Sequence, residues 1–258
     1  MNQNLAESLA ERLKIAVEQV VREEFELSLL KSLFESGIGK ALVFKGGTAL
    51  RIAFGSPRFS DDLDFSASSA VPEAAFQTAA RAALKGLPEA TLVEALAKRF
   101  TLFALYRFDV PYIARPFSIK VEVSTAAGAP GLTRGSTSAV LARGYKSRAS
   151  GEPKARPLTQ EESRRQADES ELRLLSSEVT NLTVLARVAT LERALEDKKA
   201  AFAARRQPRD LYDLWFISQK LGLPFKADLA GFDPRIVRRE LRKYLPRTHW
   251  SVIDQWTG

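Results

Sequence analysis

Two aspartates, Asp62 and Asp64, stand two residues apart in a segment that the sequence predicts as a short strand, Asp62-Leu-Asp-Phe65. Successive side chains of a strand point to opposite faces, so both carboxylates share one face while Leu63 and Phe65 point into the core. The rise per residue puts the two Cα atoms roughly 7 Å apart. Carboxylates so placed can converge on a hard cation, and Mg²⁺ prefers carboxylates together with phosphate oxygens. The pair therefore predicts a site for Mg²⁺, or Mn²⁺.

A glycine pair precedes the aspartates by about fifteen residues. The segment Lys45-Gly46-Gly47-Thr48 separates an apolar, strand-like run from a helical run that begins at Ala49. Two glycines let the backbone approach a ligand closely with its N–H groups exposed, and the helix N-terminus that follows favours phosphates. A phosphate-binding turn ahead of a metal-binding Asp-x-Asp strand predicts that the protein binds a nucleoside triphosphate with its metal ion. All four residues of the turn are therefore nucleotide-binding candidates.

The loop between the helix and the aspartate strand supplies two further candidates. Gly55-Ser-Pro57 ends the helix, because the residue before proline is disfavoured in the α region. Arg58 is placed to offset negative charge on the nucleotide. Ser60 lies two residues before Asp62, where a triphosphate would lie, although a serine in a turn also commonly bonds the local backbone. We therefore count both among the nucleotide-binding candidates.

These residues resemble a known family. Gly-Gly followed by Asp-x-Asp on the next strand is the pattern of the nucleotidyltransferase superfamily, and KGGTALR followed by RFSDDLDFS resembles the AbiEii family more closely. That family is the toxin half of bacterial toxin–antitoxin and phage-defence pairs and includes the mycobacterial MenT toxins. The resemblance implies an NTP substrate, a divalent metal ion and a cognate antitoxin protein as partner.

The resemblance also implies a third carboxylate on a neighbouring strand. The segment Phe117–Ser124 has the alternation of a half-buried strand, and Glu122 lies on its polar face together with Lys120. Glu122 is the candidate third metal ligand, since a third acid would complete a two-ion site. The alternative is a Lys120–Glu122 ion pair on a solvated strand face.

A second stretch, LEDKKAAFAARRQPRDLYDLW, resembles the C-terminal motif of the same family. Lys198 and Asp210 fall at the matching places, although the adjacent Lys199 leaves the register open by one residue. By this resemblance Lys198 is a catalytic cation that faces the triphosphate, and Asp210 orients a lysine, a water or the attacking hydroxyl. Without the resemblance both would be taken as surface charges.

Composition limits the class of protein. The chain has 258 residues, a net charge of +8, a sequence pI of about 9.8 and no cysteine. A basic balance favours polyanionic partners, nucleic acid first. The absence of cysteine excludes disulfides, thiolate zinc sites and a cysteine nucleophile. No apolar run is long enough for a membrane span and the N-terminus has no secretory pattern, so we expect a cytoplasmic protein with no membrane partner. The single histidine, His249, is expected to be a packing residue.

The predicted fold is α+β: a nucleotidyltransferase-type mixed sheet with flanking helices and a mostly helical C-terminal lobe. We expect a core with N-terminal helices over residues 1–125. Residues 126–165, rich in Gly, Ser and Arg, are expected to form a basic, flexible connection. Residues 166–258 are then a mostly helical lobe that contributes to the active site.

The predicted function is transfer of nucleotides from an NTP to an RNA acceptor. The resemblance to the MenT toxins implies the 3′ end of tRNA as the acceptor, and hence a toxin that blocks translation. It also implies that an antitoxin could act by phosphorylating a residue near the site, for which Ser60 is the candidate. The alternatives are a protein side chain or small molecule as acceptor, or a non-catalytic RNA-binding module.

Overall fold

The structure is a computed structural model, and it describes residues 1–125 and 159–257. Its helices are α1 (Gln3–Leu13), α2 (Val17–Glu35), α3 (Gly46–Phe54), α4 (Glu73–Ala82), α5 (Gln160–Asp168), α6 (Leu191–Arg205), α7 (Pro208–Leu221), α8 (Pro234–Arg242) and α9 (Trp250–Thr257). Its strands are β1 (Leu42–Lys45), β2 (Asp62–Ala67), β3 (Ala90–Lys98), β4 (Thr101–Phe108), β5 (Phe117–Ser124), β6 (Ser170–Ser177) and β7 (Thr180–Ala189).

The described strands form one mixed, seven-stranded sheet in the order β3-β4-β5-β2-β1-β7-β6. β2 runs parallel to β5 and β1 runs parallel to β7, whereas the other neighbours are antiparallel. This mixed sheet with flanking helices confirms the predicted α+β class. The strand β3 was not predicted from the sequence, because it is an edge strand rich in alanine, with weak alternation and a bulge between Leu92 and Glu94.

One face of the sheet carries the hydrophobic core. The rings of Phe44 on β1 and Phe65 on β2 lie 5.3 Å apart, and Phe34 of α2 packs against Phe65 from above. Farther along the same face, Phe25 of α2 contacts Phe108 of β4 at 4.4 Å between centroids. The helices α2 and α4 cover this face, and buried apolar residues of both belong to the same core as those of the strands.

The other face of the sheet is polar at its centre. Lys45 is paired with Asp64 across β1 and β2, and Asp64 is paired with Glu122 across β2 and β5. Paired residues on neighbouring strands share a face, so these three side chains lie on the side opposite to Phe44 and Phe65. The register of the sheet therefore gathers the polar candidates of three strands on one face.

Two strands from the C-terminal part of the chain belong to this same sheet. β7 pairs with β1 through Phe44 and Val188, and β6 forms the edge beside it. The segment assigned to a mostly helical lobe, 166–258, thus begins by extending the sheet of the core, and the helices α6 to α9 follow. The division into lobes stays a prediction, and most of the predicted basic connection, residues 126–158, lies outside the described residues. Within the described ranges, no helix is both long and apolar enough to cross a membrane.

Candidate active site

The turn between β1 and α3 needs glycine at both positions of the pair. Gly46 has a φ of +84°, and a Cβ there would lie 2.5 Å from Oδ2 of Asp64. A Cβ on Gly47 would lie 2.4 Å from a terminal guanidinium nitrogen of Arg58 and 2.7 Å from the Ser60 hydroxyl. Any other residue would therefore collide with the side chains that surround the start of α3. The N-terminus of α3 points its free N–H groups at this place, which suits an anion.

The two aspartates lie on β2 with Leu63 between them fully buried, as the alternation predicts. Burial raises the pKa of Asp64, and the neighbouring Asp62 raises it further, while Lys120, Lys45 and Lys198 act in the opposite direction. A carboxylate whose pKa is raised by an adjacent carboxylate marks a place where a cation is electrostatically favoured. This is the charge distribution expected of a metal-binding pair.

The Thr48 side chain has a structural role that the sequence did not predict. It is fully buried, and its hydroxyl donates a hydrogen bond to the backbone carbonyl of Asp62. Thr48 is not among the residues that line the pocket described below. Because its hydroxyl ties the start of α3 to the start of β2, the Thr48 side chain positions the aspartate strand. Its backbone N–H, near the helix N-terminus, is the part that could contact a nucleotide.

A pocket lies where the sheet meets the helical segment α6–α7. The core contributes Lys45, Gly46, Gly47, Arg58, Ser60, Asp62 and Asp64, and the helices contribute Ala194, Asp197, Lys198, Ala201, Arg205 and Arg209. The structure thus brings together most of the predicted site residues from two distant parts of the sequence. Asp210 and Glu122 lie beside the pocket without lining it.

A chain of ion pairs with alternating sign runs behind the pocket. Arg58 forms a bidentate pair with Asp213, at 2.7 and 2.8 Å. The Lys198 ammonium lies 2.6 Å from Asp213 and 3.2 Å from Asp210. Arg205 in turn forms a bidentate pair with Asp210, at 2.6 and 2.7 Å. Both carboxylates are fully buried, so each is stable as an anion only because two cations flank it.

This chain of ion pairs limits the role of Asp210. Burial acts to raise the pKa of Asp210, but Lys198 and Arg205 lower it to about 2. A carboxylate with so low a pKa is a weak base, and its oxygens already accept bonds from two cations. The predicted role of Asp210 in orienting a lysine, a water or the attacking hydroxyl stays a prediction, and its contact with Lys198 is the one that orienting the lysine requires.

Asp213 was not predicted from the sequence as a site residue. It is fully buried, and Arg58 and Lys198 lower its pKa against the effect of burial. A signal was present: Asp210 and Asp213 stand three residues apart on α7, a spacing that places both on one helix face. The two acids face Lys198 of α6, whereas the adjacent Lys199 is exposed and pairs with Glu196. Of the two lysines that the family motif could match, Lys198 is therefore favoured.

Glu122 is paired with Asp64 across β2 and β5, and the Lys120 ammonium lies close to its carboxylate. The Lys120 ammonium is 3.1 Å from Asp62 and 3.8 Å from Glu122. Among residues 1–125 and 159–257, no group of three or more acidic, histidine or cysteine side chains is arranged to hold a metal ion. The ion pair that was the alternative for Glu122 is therefore present, and its role as a metal ligand stays a prediction.

The two aspartates alone still fit the chemistry of a divalent ion. Mg²⁺ is commonly held by one or two carboxylates that are completed by substrate phosphates and water. Asp62 and Asp64 line the same pocket as the glycine turn that would hold those phosphates. The protein thus offers two carboxylate ligands, and the phosphates of a nucleotide together with water would complete the coordination.

Two cations at the pocket remain available to a ligand. Lys45 and Arg209 line it, and neither forms an ion pair with any residue in the described parts of the chain. Arg58, Lys198 and Arg205, in contrast, are each bound to a buried aspartate. Lys45 and Arg209 are thus the cations most accessible to an incoming anion, and Arg209 was not predicted.

Part of the chain is similar in sequence to a known protein family. The glycine turn at the N-terminus of α3 and the Asp-x-Asp strand β2 line one pocket, as the resemblance in the sequence implied. Residues 28–142 match the family model described as nucleotidyl transferase AbiEii toxin of type IV toxin–antitoxin systems. This match, which covers less than half of the chain, confirms the resemblance to that family seen in the sequence.

Solved structures with a similar fold come from Helicobacter pylori. JHP933 from Helicobacter pylori has a TM-score of 0.50 at 18% identity, over 94% of this chain and 93% of its own. A candidate nucleotidyltransferase from H. pylori has a TM-score of 0.51 at 19% identity, over 94% and 96%. The TM-scores and coverage of these two structures show a shared fold. MenT4, the nucleotidyltransferase toxin Rv2826c from Mycobacterium tuberculosis H37Rv, has a TM-score of 0.46 at 20% identity, over 87% and 63%. No curated protein sequence matches the chain significantly.

Proposed function

We propose that this protein transfers a nucleotide from an NTP to a hydroxyl of an RNA acceptor in a metal-dependent reaction. The observation that carries the proposal is the shared pocket of Asp62 and Asp64, the glycine turn, and Lys198 with its buried acidic partners. A triphosphate needs an anion-binding turn, a metal-binding pair and fixed cations, and this pocket supplies all three.

The residues of the pocket have different roles in the proposed reaction. Gly46 and Gly47 leave room for the phosphates at the N-terminus of α3, and Lys45 and Arg209 offer positive charge to them. Lys198 is fixed by Asp210 and Asp213, so its ammonium is held ready for the charge that develops at the transferring phosphorus. The acceptor oxygen bonds to the α-phosphorus, the bond to the β-phosphate breaks, pyrophosphate leaves, and the hydroxyl proton passes to water.

Asp62 and Asp64 would hold the divalent ion, Mg²⁺ or Mn²⁺, and Glu122 is a further candidate ligand beside them. When bound, such an ion offsets the charge on the phosphates and stabilises the attacking and departing oxygens. Lys120 occupies the space next to Asp62 in the protein alone, at 3.1 Å. It keeps the carboxylates partly neutralised, so that they can lie close together before a metal–nucleotide complex arrives.

An RNA acceptor agrees with the charge of the protein. The net charge of +8 favours a polyanionic substrate, whereas a cationic small molecule would need an acidic surface. The tRNA 3′ end is the acceptor that the resemblance to the family implies, with loss of translation as the toxic effect. We place this reaction in the cytoplasm, where NTPs and tRNA are found, and include a cognate antitoxin as partner.

Ser60 is the candidate for regulation by phosphorylation. Its hydroxyl lies close enough to Gly47 to exclude a Cβ there, and it lines the pocket with Asp62 and Asp64. A phosphate on Ser60 would add about −1.5 to −2 charge beside the two carboxylates. That charge would repel both the nucleotide and the metal ion, so a modified protein would be inactive.

The proposal is tested by incubating the protein with α-labelled NTPs, Mg²⁺ and total RNA. We expect label on RNA with the unmodified protein and none with Asp62→Asn, which keeps the shape of the side chain. Label on protein instead of RNA would assign the transfer to a protein side chain. RNA that binds without ever becoming labelled, at any NTP or metal concentration, would replace the enzyme with a binding module.

A further inference from the structure

A groove with basic walls lies on the outside of the molecule, between the N-terminal helices and the end of the chain. It has a volume of about 650 Å³. The basic groove, as we name it, is lined by Lys14, Arg242, Lys243, Arg247 and Trp250, with Glu7, Ala10, Glu11, Ile15, Ala16, Val17 and Leu245 as its other residues. Among these described residues, four cations face two acids, and both acids lie on the α1 wall.

Two of these cations have no acidic partner in the described parts of the chain. Lys14 and Arg247 are exposed and form no ion pair there. Arg242 is engaged, because it pairs with Asp254 at 2.9 Å and its guanidinium lies 4.6 Å from the centre of the Trp250 ring. Exposed cations that no acid neutralises, next to an aromatic ring, suit a chain that carries both phosphates and bases.

The backbone at Lys14 has a conformation that glycine usually adopts. Lys14 has a φ of 55°, in the left-handed region, at the residue that ends α1. A Cβ makes this conformation unfavourable, so a lysine here costs some stability. The carbonyl of Lys14 accepts a hydrogen bond from the N–H of Arg247 at 3.0 Å, which joins the two walls of the groove. The backbones of the two residues that carry the unpaired cations are therefore joined directly.

The basic groove reaches the loop that precedes the aspartate strand β2. The Lys243 ammonium lies 3.9 Å from a carboxylate oxygen of Asp61, and the Tyr244 hydroxyl donates a hydrogen bond to the same carboxylate. Asp61 immediately precedes Asp62, and the N–H of Phe59 donates to the carbonyl of Tyr244 at 2.8 Å. One wall of the groove is thus bonded directly to the loop beside the pocket.

We propose that the basic groove binds the phosphodiester backbone of the RNA acceptor and leads its reactive end toward the pocket. This inference rests on the proposed function for the identity of the acceptor. The described residues that line the groove include no glycine, unlike those of the pocket that would hold the triphosphate. The unpaired cations of the groove lie on its exposed walls, where a nucleic-acid backbone can reach them. Lys14 and Arg247 each neutralise one phosphate, and Trp250 with Arg242 provides the surface for a neighbouring base.

The test compares two double variants that each remove two positive charges. Lys14→Gln with Arg247→Gln alters the groove, whereas Lys40→Gln with Arg81→Gln alters two exposed cations elsewhere, neither of them paired with a described residue. Binding of a fluorescein-labelled single-stranded RNA oligonucleotide is followed by anisotropy over a salt series, without NTP. Loss of two phosphate contacts should make the negative slope of log K, the association constant, against log salt concentration shallower by about 1.4. It should also weaken binding about tenfold. If the groove variant and the control give the same slope and affinity, the proposal is wrong.

A second variant distinguishes the effect of the Lys14 charge on RNA binding from any effect of the substitution on stability. Lys14→Gly removes the cation and also relieves the left-handed backbone, so it should unfold at the same or a higher temperature than the unmodified protein. We expect it nevertheless to bind the oligonucleotide about threefold more weakly, since one phosphate contact is lost. Unchanged affinity in Lys14→Gly would show that the lysine does not contact RNA.

The labelling assay distinguishes failure of this inference from failure of the proposed function. If no NTP is transferred to RNA but the groove variant still loses salt-dependent binding, the groove binds RNA and the transferase proposal is wrong. If transfer proceeds and the groove variant has the KM for RNA of the control, the transferase proposal stands and the groove is not the RNA site.

Discussion

The ammonium nitrogen of Lys198 lies 2.6 Å from Oδ2 of Asp213, a residue that also holds Arg58 in a bidentate pair. This one carboxylate therefore connects the loop before the aspartate strand to the helices α6 and α7. Its position explains how a lysine far along the sequence is fixed beside Asp62 and Asp64. Loss of the Asp213 carboxylate would leave Arg58 without its acidic partner and Lys198 with Asp210 alone.

Replacing Asp213 should destabilise the protein strongly. Asp213→Asn leaves Arg58 buried without its partner, and breaking a buried ion pair from one side costs about 3–5 kcal/mol. Urea denaturation measures the loss. Asp228→Asn is the control, because it breaks an exposed pair with Arg206 and should leave the denaturation midpoint unchanged. A small effect of Asp213→Asn, equal to that of the control, would contradict the bridging role.

Gly47→Ala should weaken nucleotide binding. Its Cβ would lie 2.4 Å from Arg58, which cannot swing away without giving up its pair with Asp213. Such overpacking costs about 1–3 kcal/mol, so we expect a raised KM for the NTP and a lowered melting temperature. Gly37→Ala is the matched control, since nothing lies within 4 Å of its Cβ and its φ is not positive. A normal KM in Gly47→Ala would show that the turn is not the phosphate site.

Acid should remove the stability that Asp210 contributes within a defined range of pH. The pKa of Asp210 is lowered to about 2 in the folded protein, from an ordinary value near 3.9, so its contribution is present above about pH 4 and is lost as the pH falls to about 2. That shift corresponds to about 2–3 kcal/mol. The difference in unfolding free energy between the unmodified protein and Asp210→Asn should therefore shrink between pH 4 and 2. A difference that stays constant across that range would count against the ion pairs with Lys198 and Arg205.

Negative charge at Ser60 should abolish activity. Ser60→Glu places a carboxylate in the pocket with Asp62 and Asp64, and we expect transfer to fall about a hundredfold or more, as for other losses of electrostatic stabilisation. Ser60→Ala removes only the hydroxyl and should keep most of the activity. Full activity in Ser60→Glu would remove the basis for regulation by phosphorylation at this residue.

The three carboxylates of the polar sheet face should differ in their effect on metal dependence. Asp62→Asn and Asp64→Asn should abolish transfer, because each removes one of the two β2 acids that line the pocket. Glu122→Gln should retain activity but require severalfold more Mg²⁺, since Glu122 lies beside Asp64 and shares Lys120. Activity measured over a Mg²⁺ titration compares them. An unchanged Mg²⁺ requirement in Glu122→Gln would exclude that residue from the metal site.

Local patterns in the sequence were sufficient to predict many of the core residues and many of the candidate site residues. The alternation of Asp62, Leu63, Asp64 and Phe65 indicated which side chains face the core, because the period of a strand is set by its backbone. The glycine pair was recognisable because it separates a strand-like run from a helical one. The edge strand β3 was missed, since its half-exposed residues, with a bulge among them, do not alternate clearly.

Residue types and short-range spacing were enough to predict the two aspartates on one strand face, the glycine turn and the basic charge of the protein. The packing of the helices against the sheet was needed to show that Asp213 joins Arg58 to Lys198, that Thr48 supports β2, and that Lys14 and Arg247 share a groove. Most of these contacts join residues far apart in the chain. Because a local pattern specifies only the conformation of its own segment, it cannot specify which distant side chains will meet when the segments pack.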